Sequence, residues 1–118
     1  MLDNAYEGFN ACLFAYGQTG SGKSYSVVGY GENKGIIPRT CEELFRRIDE
    51  KSAIEGKKSQ YSVSISMIEI YNEKVQDLFC KPEKRPKEGL KIREAPGKGV
   101  YVEDAIFSPV NNYPEIEK

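Results

Sequence analysis

The feature that most constrains the fold is the octapeptide at residues 17–24, which reads Gly-Gln-Thr-Gly-Ser-Gly-Lys-Ser. It follows a short apolar run at residues 11–16 and precedes a segment with helical character. A glycine-rich turn between a strand and a helix, ending in Lys-Ser, matches the pattern G-x-x-x-x-G-K-S/T of a phosphate-binding loop. The chain is therefore predicted to contain a strand–loop–helix unit with an anion site at the loop.

Each residue type in this loop has a physical role against a nucleoside triphosphate. Gly17, Gly20 and Gly22 allow tight turns and let backbone N–H groups approach phosphate oxygens without a Cβ in the way. Lys23 supplies an ammonium for the β- and γ-phosphates, and the Ser24 hydroxyl suits Mg²⁺. A helix beginning at Lys23 would add its N-terminal N–H groups to the site. The alternative is a glycine-rich turn with an adjacent lysine, but the apolar run and the following helix favour nucleotide binding.

Three blocks of the sequence resemble successive parts of the kinesin motor domain. Residues 10–25 contain the loop, residues 35–39 read Gly-Ile-Ile-Pro-Arg, and residues 68–78 read Ile-Glu-Ile-Tyr-Asn-Glu-Lys-Val-Gln-Asp-Leu. The resemblance continues through residues 100–103, and the loop variant is most similar to the kinesin-3 branch. It implies an α/β fold, the three-layer sandwich of the P-loop NTPase type, of which residues 1–118 form an N-terminal to central portion.

The resemblance also implies a function. The parent protein is expected to be a microtubule-based motor ATPase that uses ATP or ADP with Mg²⁺ on the cytoskeleton in the cytoplasm. The sequence contains neither the family's Asn-x-x-Ser-Ser-Arg block nor its Asp-x-x-Gly block. Phosphoryl transfer needs several separated groups, so this chain is expected to bind nucleotide without turning it over. The alternatives are a non-catalytic nucleotide-binding protein and a purely structural fragment of a degenerate kinesin-like protein.

The expected nucleotide contacts follow from the loop and the resemblance. They are Gly17, Gln18, Thr19, Gly20, Ser21, Gly22, Lys23, Ser24 and Tyr25, with Ser24 as the Mg²⁺ ligand. Kinesins place a ring near the adenine at the position of Tyr25, so this side chain could stack on the base. Packing of the ring on a neighbouring helix is the alternative, and the sequence leaves both open.

A second predicted site is a hairpin. Residues 90–94 and 100–103 have strand character and are joined through Ala-Pro-Gly-Lys-Gly. In kinesins the comparable hairpin contacts tubulin, so the resemblance makes Lys98, at the tip, and Arg93 candidates for microtubule contact. The alternative is a solvated lysine in a glycine turn.

Composition limits other classes of function. Charged residues make up 30% of the chain and the net charge is −1, which disfavours disorder and generic nucleic-acid binding. The sequence has no histidine, and its cysteines, Cys12, Cys41 and Cys80, are widely spaced. This pattern indicates reduced thiols rather than a metal site. No apolar run approaches the length of a membrane span, and no signal peptide is visible, so no membrane partner is expected.

The remaining pattern predicts alternating helices and strands. Expected helices cover residues 2–9 and 23–28, a segment that begins near Pro38 and buries Cys41, Leu44, Phe45 and Ile48, a short helix capped by Asn72, and one that begins at Asn111 or Asn112. Expected strands cover residues 11–16 and a long segment from residue 61 to 70. Residues 29–35 and 51–60 are expected to be loops. The loop strand, the following helix and the next strand should form a right-handed βαβ unit.

Overall fold

The computed structural model of the protein describes residues 1–55 and 60–117, and it contains both helices and strands. Contacts divide the chain into two units. The first comprises the described residues of Met1–Tyr61 and Asn111–Lys118, and the second comprises Ser62–Val110. In the described ranges, no helix is both long and apolar enough to cross a membrane.

The first unit is mainly helical. Its elements are α1 (Leu2–Tyr6), α2 (Lys23–Val27), β1 (Gly29–Tyr30), β2 (Asn33–Lys34), α3 (Ile36–Glu55) and α4 (Tyr113–Glu117). The helices predicted at residues 2–9 and 23–28 are therefore confirmed in shortened form. The predicted loop at residues 29–35 contains the two-residue strands β1 and β2, which pair in antiparallel register.

The helix α3 is the longest described element, and its C-terminal end lies beyond the predicted one. Pro38 is its third residue, where the missing N–H has no intrahelical partner to lose. The predicted face of Cys41, Leu44, Phe45 and Ile48 is half-buried, as expected. The loop predicted from residue 51 is wrong up to residue 55, because Arg46 and Glu50 pair at helical spacing and good helix formers follow. Residues 56–59 of that predicted loop lie outside the described residues.

The helix α4 begins directly after Asn112, which is one of the two residues predicted to start it. The Asn112 Oδ1 accepts a hydrogen bond from the Glu115 N–H at 3.0 Å, and the Glu115 carboxylate accepts the Asn111 N–H at 2.7 Å. The Asn112 side chain therefore satisfies one N–H of the first helical turn, and the Glu115 carboxylate satisfies the N–H of the residue ahead of the cap.

The strand predicted at residues 11–16 does not form among the described residues. The segment has no paired strand in residues 1–55 or 60–117, and Phe14 and Tyr16 are 84% and 96% exposed. The predicted βαβ unit is also absent from this part of the chain, since all strand pairs in it are antiparallel. An apolar run favours a strand only where a neighbouring strand supplies hydrogen-bond partners.

The second unit consists of three antiparallel strand pairs. The strands are β3 (Val63–Ile65), β4 (Ile68–Tyr71), β5 (Lys74–Asp77), β6 (Ile92–Ala95), β7 (Gly99–Val102) and β8 (Ser108–Val110). They pair as β3 with β8, β4 with β5, and β6 with β7. The single long strand predicted from residue 61 to 70 is therefore wrong, because residues 66 and 67 interrupt it and its two halves belong to different sheets.

The helix predicted after Asn72 is also wrong, because this residue lies in a turn. Asn72 and Glu73 have φ values of 48° and 61°, and Tyr71 pairs with Lys74 across them. Two left-handed residues between paired strands form a type I′ hairpin turn. Asparagine favours both helix caps and left-handed turns, and the pairing of Val75 with Ile70 decides for the hairpin.

The hairpin of β6 and β7 confirms its prediction. Ala95 pairs with Gly99 at the end of the ladder, and the Lys98 N–H donates to the Ala95 carbonyl at 3.2 Å. Gly97 and Gly99 have φ values of 79° and 75°, a conformation that glycine adopts at little cost.

A buried carboxylate organises the second unit. Asp77 is 3% exposed, and its two oxygens accept the Phe79 N–H at 2.8 Å and the Ile106 N–H at 2.6 Å. It lies two residues from Val75, which with Val110 forms the buried apolar part of the described chain. The carboxylate therefore joins β5 to the segment between β7 and β8.

Many large apolar side chains of the described residues are exposed to solvent in this structure. The chain has an accessible surface of 9836 Å², whereas a folded monomer of this length exposes about 6,500 Å². The two units therefore have small cores.

Replacement of Asp77 tests its role in the second unit. Asp77→Ala should cost about 3 kcal/mol or more, because two backbone N–H groups each lose a charge-assisted hydrogen bond to the buried carboxylate, worth about 1.5–3 kcal/mol. Amide hydrogen exchange should show faster exchange at Phe79 and Ile106. Asp49→Ala, which removes an exposed carboxylate from α3, is the matched control and should leave both amides protected; equal effects would contradict the assigned role.

Candidate nucleotide-binding site

The glycine-rich loop between residues 16 and 23 requires glycine at its first position. Gly17 has a φ of 151°, and a Cβ placed on it would lie 2.5 Å from the Ser21 Oγ. The loop turns through a hydrogen bond of 3.1 Å from the Ser21 N–H to the Gln18 carbonyl. Gly22 adopts a left-handed conformation, with a φ of 97°, immediately before α2. The turn therefore requires positive φ values at both Gly17 and Gly22, which glycine adopts without a steric penalty.

The loop and the first turn of α2 present hydrogen-bond donors. The Ser26 N–H is the first of this helix to find a backbone acceptor, the Gly22 carbonyl at 3.0 Å. The N–H groups of Gly20, Gly22, Lys23 and Ser24 have no backbone acceptor within the described ranges. Such groups need acceptors from another source, and phosphate oxygens are suitable ones. The donor set therefore fits a polyphosphate.

The two side chains that end the motif have different environments. The Lys23 Nζ donates to the Gly17 carbonyl, so the half-buried ammonium is folded back over the loop. An ammonium has three donors, and two remain for other acceptors. Ser24 is exposed, and its hydroxyl has the hard oxygen that Mg²⁺ prefers. The residues present therefore fit a magnesium nucleotide.

The aromatic ring of Tyr25 lies beside another ring. Its centroid is 6.3 Å from that of Tyr30, at an interplanar angle of 35°. The Tyr25 residue is 54% exposed, so part of its surface is available to a planar base. The sequence indicated only a base or a helix as the neighbour of the Tyr25 ring. Its contact with the Tyr30 ring on β1 was therefore not predicted.

A cavity of about 350 Å³ adjoins Tyr25. It is lined by residues of α2, β2 and the start of α3: Tyr25, Ser26, Asn33, Lys34, Gly35, Ile36 and Arg39. The Lys34 ammonium pairs with the Glu42 carboxylate, and the Arg39 Nε donates to the Lys34 carbonyl at 2.9 Å. Sequence reasoning missed this cavity, although the Gly-Ile-Ile-Pro-Arg block marked one of its walls.

Contacts between α1 and α3 frame the segment that leads into the loop. The Tyr6 hydroxyl donates to the Leu44 carbonyl at 3.0 Å, and the Arg47 Nη1 donates to the Asp3 Oδ1 at 2.6 Å. The Tyr6 ring also has the Arg47 guanidinium 5.7 Å and the Lys51 ammonium 4.7 Å from its centroid. Burial raises the pKa of the Tyr6 hydroxyl, so it stays protonated as the donor.

Charged side chains on α3 support these contacts between α1 and α3. Hydrogen bonds from Arg46 and then Arg47 lower the pKa of the Glu43 carboxyl from 4.5 to about 2. The same bonds raise the pKa of both guanidinium groups. Glu43 therefore stays ionised throughout the neutral and weakly acidic range and orients Arg47 toward α1.

The three cysteines are free in the structure, with Cys12 exposed and Cys41 and Cys80 half-buried. Burial raises the pKa of the Cys41 thiol on α3, so it is a weaker nucleophile than an exposed cysteine.

The predicted microtubule candidates Arg93 and Lys98 belong to the second unit, whereas the glycine-rich loop belongs to the first. The Arg93 Nε donates to the Glu103 Oε2 at 2.7 Å, which raises the pKa of Arg93 and lowers that of Glu103. The Lys98 Nζ lies 3.7 Å from the centroid of the Tyr101 ring. Both candidates are exposed. Among the described residues Arg93 pairs with a carboxylate, whereas Lys98 has no ion pair and lies over a neutral ring.

The family model of the kinesin motor domain matches residues 1–118. The chain belongs to the kinesin motor domain family. It is 51% identical over 117 residues to Kinesin-related protein 1 of Dictyostelium discoideum, which covers 99% of this chain and 5% of that protein. It is 48% identical over 119 residues to the human Kinesin-like protein KIF14, covering 99% of this chain and 7% of the relative.

Solved structures agree with this membership. KIF14 with ADP in complex with a microtubule matches with a TM-score of 0.86 and 48% identity, covering 98% of this chain and 32% of that one. A fast kinesin matches with a TM-score of 0.80 and 33% identity, covering 98% and 31%. The kinesin resemblance and the predicted α/β class are therefore confirmed, and this kinesin chain spans about a third of the solved chains it matches.

The depressed pKa of Glu43 gives a pH test of the charged contacts that support the attachment of α1 to α3. Carboxyl NMR should show Glu43 still ionised at pH 3, well below its ordinary pKa of 4.5. Because its pKa is lowered in the folded chain, its stabilising contribution is complete above about pH 4.5 and is lost as the pH falls toward 2.

Arg46→Gln should raise the Glu43 pKa, and added salt should move it in the same direction because the group is exposed to solvent. A Glu43 pKa that is unchanged in Arg46→Gln would contradict the assigned hydrogen bonds.

Proposed function

We propose that this chain is the nucleotide-binding part of a kinesin motor that couples ATP hydrolysis to movement along microtubules. The observation that carries the proposal is the loop at residues 17–24, with N–H donors that lack backbone acceptors beside Lys23 and Ser24. Relatives support it, since KIF14 has been solved with ADP and with AMP-PNP, in complex with a microtubule in both cases. Association with the cytoskeleton in the cytoplasm follows from the same proposal.

The roles of the loop residues follow from their chemistry. The backbone from Gly17 to Gly22 would hold the phosphates by N–H groups, and Lys23 would move from the Gly17 carbonyl to the β- and γ-phosphates. Ser24 would ligate Mg²⁺, which offsets phosphate charge when bound. Tyr25 would lie against the adenine on its exposed face.

Binding and turnover are separable in this proposal. Hydrolysis requires groups that position water and respond to the γ-phosphate, and the sequence has neither of the two family blocks that supply them. The chain by itself is therefore proposed to bind ATP or ADP without hydrolysing it. Catalysis would belong to the complete motor.

A second function, that of a non-catalytic or structural fragment, is favoured by one observation. Phe14 and Tyr16, ahead of the loop, are 84% and 96% exposed, and their segment is not paired with a strand within the described chain. A loop whose supporting strand is unpaired could lack the rigidity that phosphate binding needs. Nucleotide binding by the isolated chain distinguishes the two functions.

Removal of the loop lysine tests the nucleotide site. Lys23→Ala should weaken binding of a fluorescent ADP analogue with Mg²⁺ by roughly 10- to 150-fold, because a charge-assisted hydrogen bond is worth about 1.5–3 kcal/mol. Equilibrium titration of the 118-residue chain measures the effect. Lys98→Ala is the matched control and should bind as the parent does. Binding by the parent that does not depend on Lys23 would contradict the site, and absence of binding would favour the structural function.

The hairpin charges are tested in a complete motor that carries these residues. Lys98→Ala should weaken microtubule binding, with a larger loss at low salt, because an exposed charge is screened as ionic strength rises. Arg93→Ala should have a smaller effect because Glu103 already balances its charge. Co-sedimentation at two salt concentrations measures both variants, and a nucleotide affinity altered by Lys98→Ala would show that the roles are wrongly assigned.

A further inference from the structure

The proposed nucleotide site gives Tyr30 no role, although its ring lies beside that of Tyr25. The two ring centroids are 6.3 Å apart, and the ring planes are tilted by 35°. Aromatic pairs in proteins attract each other at centroid separations of roughly 4.5–7 Å. Tyr30 is 69% exposed, so burial in a core does not account for the position of its ring.

A short hairpin fixes the backbone that carries Tyr30. In the pair of β1 and β2, Tyr30 lies opposite Asn33, and Gly29 lies opposite Lys34. A Cβ placed on Gly29 would overlap the Asn33 carbonyl oxygen, so the two strands approach too closely for any other residue there. Gly29 has a φ of 78°, which turns the chain from the end of α2 into the hairpin.

The base of this hairpin is bonded to both neighbouring helices. The Gly35 N–H donates to the carbonyl of Val28, the residue directly after α2, at 2.9 Å. On α3, the Arg39 Nε donates to the Lys34 carbonyl at 2.9 Å. These bonds hold the hairpin against α2, so the Tyr30 ring stays close to Tyr25.

An anchored neighbour changes what the Tyr25 ring can contribute to binding. Tyr25 is 54% exposed, and an exposed side chain loses rotamer freedom when a ligand immobilises it. Contact with the Tyr30 ring restricts that freedom before a base arrives. The glycine-rich loop contacts phosphates whether or not they carry a base. The ring pair therefore acts on the base part of the ligand alone.

We propose that Tyr30 is a positioning residue of the nucleotide site, which holds the Tyr25 ring in the orientation that stacks on the adenine. Tyr30 acts through Tyr25 and not by touching the nucleotide. The inference rests on the proposed nucleotide binding, and it adds that preference for a nucleotide over a base-free polyphosphate depends on this ring pair. The contacts that carry it all lie within residues 25–39.

Calorimetric titration of the 118-residue chain with two ligands tests the inference. With Mg²⁺ present, ATP supplies a base and three phosphates, whereas inorganic tripolyphosphate supplies the phosphates alone. Tyr30→Ala should weaken ATP binding by roughly 3- to 10-fold, the loss expected when a side chain must be immobilised on binding, and should leave tripolyphosphate binding unchanged. Tyr30→Phe keeps the ring and should bind both ligands as the parent does. Tyr71→Ala removes a tyrosine of similar exposure, 67%, from the second unit, and as the matched control it should change neither affinity.

A double-mutant cycle shows whether Tyr30 acts through Tyr25. Tyr25→Ala should weaken ATP binding by roughly 5- to 150-fold, the range measured when a ring that stacks on a base is removed. Tyr30→Ala added to Tyr25→Ala should cause no further loss, because the ring that it positions is gone. Additive losses would overturn the inference.

The two ligands also separate failure of this inference from failure of the nucleotide site. If binding depends on Lys23 but Tyr30→Ala leaves the ATP affinity unchanged, the inference is wrong and the nucleotide site stands. Equal losses for both ligands in Tyr30→Ala and in Tyr30→Leu, which retains an apolar side chain for folding, would show that Tyr30 supports the fold and not the base. Absence of Lys23-dependent binding of either ligand would overturn the nucleotide site and this inference together.

Discussion

The second unit depends most on the two hydrogen bonds that the Asp77 carboxylate accepts. Its oxygens reach one N–H two residues away and another in the segment before β8. The second unit contains three separate strand pairs, and no strand ladder links β5 to that segment. A buried carboxylate with two backbone donors replaces the missing ladder. Asp77 also lines a cavity of about 220 Å³ in the same unit.

The first unit depends on α3 in a comparable way. This helix carries the half-buried apolar face, and its Arg47 and the Leu44 carbonyl hold α1. Because α1 precedes the glycine-rich loop in the chain, its attachment to α3 limits where the loop can lie. The exposed ion pairs of α3 are weak individually, but Glu43 is shared by two arginines, which keeps the geometry of Arg47 constant.

The backbone of both candidate sites could be predicted from the sequence, whereas the side-chain contacts at each site could not. The loop was predictable because its chemistry is local: Gly17, Gly22, Lys23 and Ser24 act within one turn and the start of one helix. The β6–β7 hairpin was predictable for the same reason. The ion pair of Arg93 with Glu103, the ring under Lys98, and the Tyr25–Tyr30 contact required coordinates, because each depends on side-chain positions that no spacing rule specifies.

The sequence by itself determined the elements whose signals are local, namely the glycine-rich loop, α2, the amphipathic face of α3, the Asn112 cap and the glycine-containing hairpin. Only the tertiary structure decided whether apolar segments become strands. Residues 11–16 stay unpaired among the described residues, the segment from residue 61 to 70 divides between two sheets, and Asn72 lies in a turn rather than at a helix cap. The physical reason is that a helix or a tight turn satisfies its hydrogen bonds within a few residues. A strand depends on a partner whose position the local sequence does not specify.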